Sequence, residues 1–267
     1  MDLWKAIILG AVQGVAEFLP ISSSGHLVVL EKLMGLDMPL AFDILLHIPT
    51  LLAVIIVFRK RLGLLLSAFF KWISKGFDAK SLEEKDQHQL KLILMMIIAT
   101  AVTVVAALGL KQTGVIELQA KFVGIFFIIT AIFLYMTRFL KPTKEYKDFG
   151  VKEALITGLA QGFGAIPGIS RSGSSISGAL AAGLKRDLAG EYAFLISIPA
   201  ILGASIIEAK DMGTLNIPAV SVIGGILASF IVGLLSLLLL IRFVKNGKLY
   251  YFSFYLLPAG IATLVFV

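Results

Sequence analysis

GAVQGVAEFLPISSSGHLVVLEKLMGL (residues 10–36) aligns without a gap on GLAQGFGAIPGISRSGSSISGALAAGL (residues 158–184). Gly10, Gln13, Gly14, Ile21, Ser22, Ser24, Gly25, Gly35 and Leu36 each recur 148 residues later. That makes nine identities in 27 positions, where a Gly- and Leu-rich composition gives about two or three by accident. The similarity runs on into FDILLHIP (42–49) and YAFLISIP (192–199) after a two-residue insertion, so the repeat spans about 1–60 and 149–208. Where the copies differ, the chemistry is divided between them: Glu17 aligns with Ala165, His26 with Ser174, and Ser23 with Arg171. A duplication that shares out its polar groups in this way implies one composite site.

The medium follows from composition. Hydrophobic residues make up 58% of the 267 positions and charged residues 15%, against about 25% charged in soluble domains, and the mean hydropathy is +0.94. The chain reads as a single integral membrane domain over 1–267. It has no cysteine, which excludes disulfides, thiolate nucleophiles and iron–sulfur or zinc–thiolate sites. The net charge of +7 does not point to nucleic acid, because the basic residues fall in short runs between apolar spans and not on an aromatic-interleaved face.

Stretches of about 20 apolar residues span a bilayer, and six are present: 39–58, 90–111, 121–140, 190–208, 217–241 and 250–267. Gln13, Glu17 and Pro20 interrupt 3–20, and no A-x-A pattern follows, so that segment reads as mature protein. The segment 62–75 is too short to span. With Lys71, Trp72 and Lys75 at one end it reads as an interfacial helix. Lysine and arginine in 59–91, 138–152 and 242–248 place those loops inside, and the weakly charged 112–120 and 209–216 outside. Six alternating spans then put both termini outside.

In that topology 10–36 begins and ends outside, and 153–188 begins and ends inside. Both read as re-entrant helical hairpins, at about 3–36 and 153–188, entering from opposite faces and broken at LPISSSG and IPGISRSG. Non-helical backbone at membrane depth is tolerated only where it is buried or lines a wet cavity. An inverted pair of broken helices is also a transporter signature. The fold expected is therefore all-α and polytopic: six transmembrane helices plus two re-entrant hairpins in an inverted-topology repeat.

The second tip gathers Ser170, Arg171, Ser172, Ser174 and Ser175 around Gly168 and Gly173. A guanidinium fork, hydroxyls and exposed amides at a helix start suit an anion, above all phosphate. In the first tip Gln13 and Glu17 lie four apart and share a helix face. A carboxylate and an amide suit a divalent cation that completes its shell with water and substrate phosphate, Mg²⁺ or Ca²⁺. Ser22, Ser23 and Ser24 follow, and then His26, placed for general acid/base or nucleophilic work. His47, inside the span 39–58, reads as a helix contact outside the catalytic set. Asp43 and Glu191 read as structural, and YYFSFY (250–255) as membrane-belt aromatics.

QGVAEFLPISSSGH (13–26) resembles the (E/Q)xxxE element and serine–histidine tip of the undecaprenyl-diphosphate phosphatases of the bacitracin-resistance type, and PGISRSGSS (167–175) resembles their PGxSRSxxT element. Gln13 stands where Glu is frequent, and Ser175 where Thr is usual. The resemblance implies hydrolysis of undecaprenyl diphosphate to the monophosphate carrier and phosphate, for recycling of the cell-wall lipid carrier. It implies residence in the cell membrane with the site opening toward the outer face. Glu17, His26, Ser23 and Arg171 are then the catalytic candidates. Ser22, Ser24, Gly168, Ser170, Ser172, Gly173 and Ser175 are the substrate-binding candidates, and Glu17 and Gln13 the metal ligands. The nucleophile stays open between His26, Ser23 activated by His26, and a metal-bound water deprotonated by Glu17. The oligomeric state also stays open, a homodimer included. A transporter or flippase of lipid phosphates would use the same repeat without hydrolysis, but Glu17 beside an anion site argues for the enzyme.

Overall fold

The structure is a computed structural model that describes residues 1–267 apart from 37, 39, 115–119 and 210–216. The described residues form ten α-helices and no strand: α1 (Leu3–Phe18), α2 (Ser23–Met34), α3 (Leu40–Ser74), α4 (Glu84–Gln112), α5 (Ala120–Met136), α6 (Val151–Phe163), α7 (Arg171–Ala181), α8 (Arg186–Glu208), α9 (Ala219–Lys245) and α10 (Ser253–Phe266). Six of them, α3, α4, α5, α8, α9 and α10, are long and apolar enough to cross a membrane, α5 and α10 together with the 3₁₀ turns that extend them. Five of them match spans expected from sequence to within several residues, α3 runs well past its expected end, and the chain is a multi-pass membrane protein. The connections 112–120 and 209–216 expected outside fall largely on 115–119 and 210–216, beyond the described residues.

One expectation fails. Residues 62–75 do not form a separate interfacial helix, because α3 runs unbroken from Leu40 to Ser74. No proline follows Pro49 in this stretch. Arg59 and Lys60 stay in the helix with exposed side chains that carry their charge outward, and Arg61 turns to pair with Glu191. At 1.5 Å per residue, 35 residues reach about 52 Å, well beyond a hydrocarbon core of about 30 Å. The helix therefore continues past the apolar layer.

The short helices pack through the repeated glycines. A Cβ on Gly10 would stand 2.1 Å from Gly225 O, and one on Gly14 2.6 Å from Ser229 O. Contacts that climb in step (10 to 225, 14 to 229 and 233) make α1 and α9 parallel neighbours. A Cβ on Gly158 would stand 2.5 Å from Ala99 O, and one on Gly162 2.5 Å from Ala106 Cβ, so α6 and α4 are parallel neighbours in the same way. Small residues four apart let backbones approach at membrane helix interfaces. In α7, Arg171 backs onto Gly164 and Gly178 onto Ala160, a falling register that makes α6 and α7 an antiparallel pair. Pro49 and Pro199 lie inside the continuous helices α3 and α8. The carbonyls three residues earlier find side-chain donors: Leu46 O accepts from Ser229 Oγ at 2.8 Å, and Ile196 O from Gln161 Nε2 at 3.4 Å.

Candidate active site

Both breaks end in the same cap. Pro20 biases Leu19 away from helix, and Leu19 is extended at ψ 137°. Ser22 then caps α2, its Oγ accepting Gly25 N–H at 3.3 Å. Ser170, 148 residues on, caps α7, its Oγ accepting Gly173 N–H at 3.0 Å. Ser22 holds φ at +73°, a conformation an L-residue adopts at a cost. The same Oγ accepts Gly168 N–H at 3.1 Å and so fastens the first break to the second. Gly168, at φ +95°, gives its carbonyl to Thr130 Oγ–H of α5 at 3.0 Å. A Cβ on Gly25 would come within 3.0 Å of Gly168 Cα, and one on Gly173 within 3.0 Å of Pro20 Cβ. The two breaks meet.

At that junction Glu17, 9% exposed, is the centre of convergence. Its Oε2 accepts Ser23 Oγ–H at 2.6 Å and Gln13 Nε2–H at 3.2 Å, and His47 Nε2 lies 3.6 Å from the same oxygen. Its Oε1 faces Arg171 Nη1 at 3.7 Å. A 2.6 Å O–H···O⁻ bond is in the short, charge-assisted class. Arg171, which aligns with Ser23 in the repeat, thus faces the same carboxylate that Ser23 bonds.

The serines of the second break are turned mostly into their own helix. Ser170 Oγ lies 3.2 Å from Ser172 Oγ. Ser174 Oγ–H donates to Ser170 O at 2.6 Å, and Ser175 Oγ–H to Arg171 O at 2.8 Å. Ser175, where threonine is usual in the motif, thus keeps the hydroxyl contact that holds the first turn of α7. Ser24 sits in the first turn of α2, partly exposed beside Ser23.

His26 is not brought to the carboxylate. Its Nδ1–H donates to Ser22 O at 2.9 Å, so Nε2 accepts from Tyr255 OH at 2.7 Å. The ring lies between Phe127 (4.8 Å between centroids) and Tyr255 (5.7 Å). Tyr255, read from sequence as a belt aromatic, is the partner of this histidine. His47, read as a helix contact, stands against Glu17. A signal for His47 was present: an ionisable residue inside a membrane span is a functional hypothesis by default, the same ground that marked Arg171. Nothing in the run YYFSFY distinguishes Tyr255 from its neighbours. Glu191, expected to be structural, pairs with Arg61 at 2.9 Å and accepts Tyr146 OH at 2.9 Å, away from this junction.

Among the described residues no group of three or more His, Cys, Asp or Glu side chains gathers around a potential metal position. The donors at hand fit a cation that depends on substrate for part of its shell. Gln13 is fully buried, and its Oε1 has no hydrogen-bond partner among the described residues. A buried acceptor without a donor is costly in hydrocarbon and matches a position that a cation would satisfy.

The family model of the bacitracin resistance protein BacA matches residues 6–262. A curated relative from Treponema denticola named undecaprenyl-diphosphatase is 49% identical, with 100% of this chain and 98% of the relative aligned. Relatives of the same name from Methanosphaera stadtmanae (40% identical, 99% and 98% aligned) and Alkaliphilus metalliredigens (39%, 100% and 99%) match over the same length. With a match over nearly its whole length, and with both breaks carrying that family's motifs, the chain belongs to the bacitracin resistance protein BacA family.

Proposed function

We propose that this protein hydrolyses undecaprenyl diphosphate to undecaprenyl phosphate and inorganic phosphate. The observation that carries the reading is the Ser23–Glu17–Arg171 arrangement, with a hydroxyl 2.6 Å from one carboxylate oxygen and a guanidinium 3.7 Å from the other. Glu17 Oε2 takes the Ser23 proton as Ser23 Oγ attacks the terminal phosphorus. The O–P bond to serine forms as the bridging P–O bond breaks, and undecaprenyl phosphate leaves. The leaving group is itself a phosphate, whose second pKa is about 6, and it departs without a general acid. Water then attacks the phosphoserine as Glu17 returns its proton to Ser23 Oγ, which frees phosphate and restores the Ser23–Glu17 pair. Arg171 and the amides at the start of α7 face the equatorial oxygens, where charge accumulates in a loose phosphoryl transfer.

Glu17 and Gln13 would hold a divalent cation, Mg²⁺ or Ca²⁺, which when bound neutralises charge on the diphosphate. The engagement of both His26 nitrogens supports a different part for His26: it fixes the first turn of α2, and with it Ser23, against α5 and α10. Ser22 and Gly168 hold the two breaks in register, and Ser170, Ser172, Gly173, Ser175 and Ser24 shape the phosphate end. An apolar cavity of about 450 Å³ lined by Ile129, Phe133, Met136, Phe163 and Ile169 borders Ser174 and offers a place for the first isoprene units.

In this reading α1–α2 and α6–α7 are re-entrant hairpins of an inverted repeat. Support comes from their lengths: 16, 12, 13 and 11 residues reach about 16 to 24 Å at 1.5 Å each, short of the apolar core. It comes also from the parallel packing of α1 on α9 and of α6 on α4. With basic loops inside, α1 enters from the outer face of the cell membrane, and the site opens there. A flippase reading has no observation in its favour that the enzyme lacks. Phosphate release from undecaprenyl diphosphate by purified protein, compared with Glu17→Gln, Ser23→Ala and Arg171→Ala, tests the proposal. Release in the wild type, lost in all three, supports it. A folded wild type that binds the lipid and releases nothing overturns it.

A further inference from the structure

We infer that His47 is a third protein ligand of the cation site, beside Glu17 and Gln13. This rests on the proposal that Glu17 and Gln13 hold a divalent cation. Three observations carry it. First, His47 Nδ1 lies 2.8 Å from Asp43 O. A carbonyl only accepts, so Nδ1 bears the hydrogen, and Nε2 is the ring atom turned toward Glu17. Metal-ligating histidines characteristically give their other N–H to a carbonyl or carboxylate.

Second, Nε2 faces Glu17 Oε2 at 3.6 Å. Two donors bound to one ion at about 2.1 Å stand about 3.0 to 3.5 Å apart for right to tetrahedral angles, so a cation fits the gap with a few tenths of an ångström of closure. Third, Gln13 Nε2 lies 3.2 Å from the same Oε2, and its own Oε1 is buried without a partner. Half a turn of the amide exchanges the two atoms and places an oxygen at the spacing a second ligand needs. Arg171 does not compete, because it approaches Oε1, the other carboxylate oxygen.

The set is then an amide oxygen, a carboxylate oxygen and an imidazole nitrogen, with the remaining positions left to water and diphosphate.

Mn²⁺ itself is the probe. The full-length protein in detergent is titrated with Mn²⁺ by EPR, and the bound ion is examined by electron spin-echo envelope modulation for an imidazole ¹⁴N coupling. The expected result is a coupling in the wild type that persists in His26→Ala and His88→Ala and vanishes in His47→Gln. His47→Gln should also weaken Mn²⁺ at least about tenfold. Because the chain has three histidines, a coupling that survives removal of the other two belongs to His47 even if His47→Gln fails to fold. Bound Mn²⁺ without an imidazole coupling, or a coupling that survives in a folded His47→Gln, overturns His47 ligation and leaves the Glu17–Gln13 site standing. A wild type that binds no Mn²⁺, Mg²⁺ or Ca²⁺ overturns both.

Discussion

Gly14→Ala is a one-carbon change whose effect on catalysis is set by helix packing. The added Cβ would lie 2.6 Å from Ser229 O and 2.7 Å from Gly233 N, both backbone atoms of α9. An ordinary carbon–oxygen contact needs about 3.4 Å or more, so α1 must retreat by about 0.8 Å. The helix α9 cannot absorb the shift easily, because Ser229 Oγ–H is tied to Leu46 O of α3 at 2.8 Å. The retreat therefore falls on α1, and Glu17 moves with it three residues further on. The Ser23–Glu17 bond of 2.6 Å then lengthens beyond a good hydrogen bond, and the Arg171 contact changes with it. Overpacking costs about 1–3 kcal/mol, and a misplacement of about 1 Å costs about 10²-fold in rate. Thermal unfolding in detergent together with phosphate release reads both. Gly63→Ala is the control: its Cβ meets nothing within 4 Å, and the change in an α3 interior position should be neutral or stabilising by up to about 1 kcal/mol. Wild-type melting and full activity in Gly14→Ala would refute this account of how α9 positions Glu17.

Further outcomes follow from single contacts. Ser170→Ala removes the α7 cap to Gly173 N–H and should cost about 1 kcal/mol in stability, read as a lower melting temperature, with activity reduced because the cap adjoins Arg171. Tyr255→Phe removes the hydroxyl on His26 Nε2 but keeps the stacked ring. It should lower activity less than His26→Ala does, a ranking that steady-state kinetics of the two variants checks. Outside the spans, the Lys185 ammonium, 2.5 Å away, holds the Glu145 carboxyl below its ordinary value by hydrogen bond and charge. A carboxyl lowered in the folded state contributes stability above its unfolded pKa, and that contribution is lost as pH falls through the folded value. Lys185→Ala should therefore lower stability slightly at neutral pH and flatten its loss below about pH 4.5, measured as melting temperature against pH.

The parts of the fold that the primary structure made legible are those where membrane physics leaves few options. Twenty apolar residues in a row admit little but a span, and Gln13, Glu17 and Arg171 inside apolar surroundings admit little but a site. The repeated glycines at 10, 14, 158 and 162 showed in the sequence only as identities of the repeat, and their packing of each short helix on a long one emerged with the structure. What escaped depended on partners distant in sequence. Helix α3 continues through 62–75 because nothing breaks it, and the charges that seemed to end it are carried on long flexible stems. His26 looked catalytic through its neighbours Ser23 and Ser24, yet its ring direction is set by Ser22 O and by Tyr255, 229 residues away. His47 gained its place only when α3 was packed beside α1. Periodicity reports which face a residue occupies, and not what the opposing helix brings to it.

The most direct test is a rapid-quench experiment with undecaprenyl diphosphate labelled in its terminal phosphate. If Glu17 and Ser23 form the reacting pair, the wild type passes label through an acid-stable phosphoserine at Ser23 to free phosphate. Glu17→Gln, lacking its base, should slow phosphate release by about 10²–10⁴-fold, and Ser23→Ala should show neither adduct nor release. Release at the wild-type rate from a folded Ser23→Ala or Glu17→Gln would contradict the account.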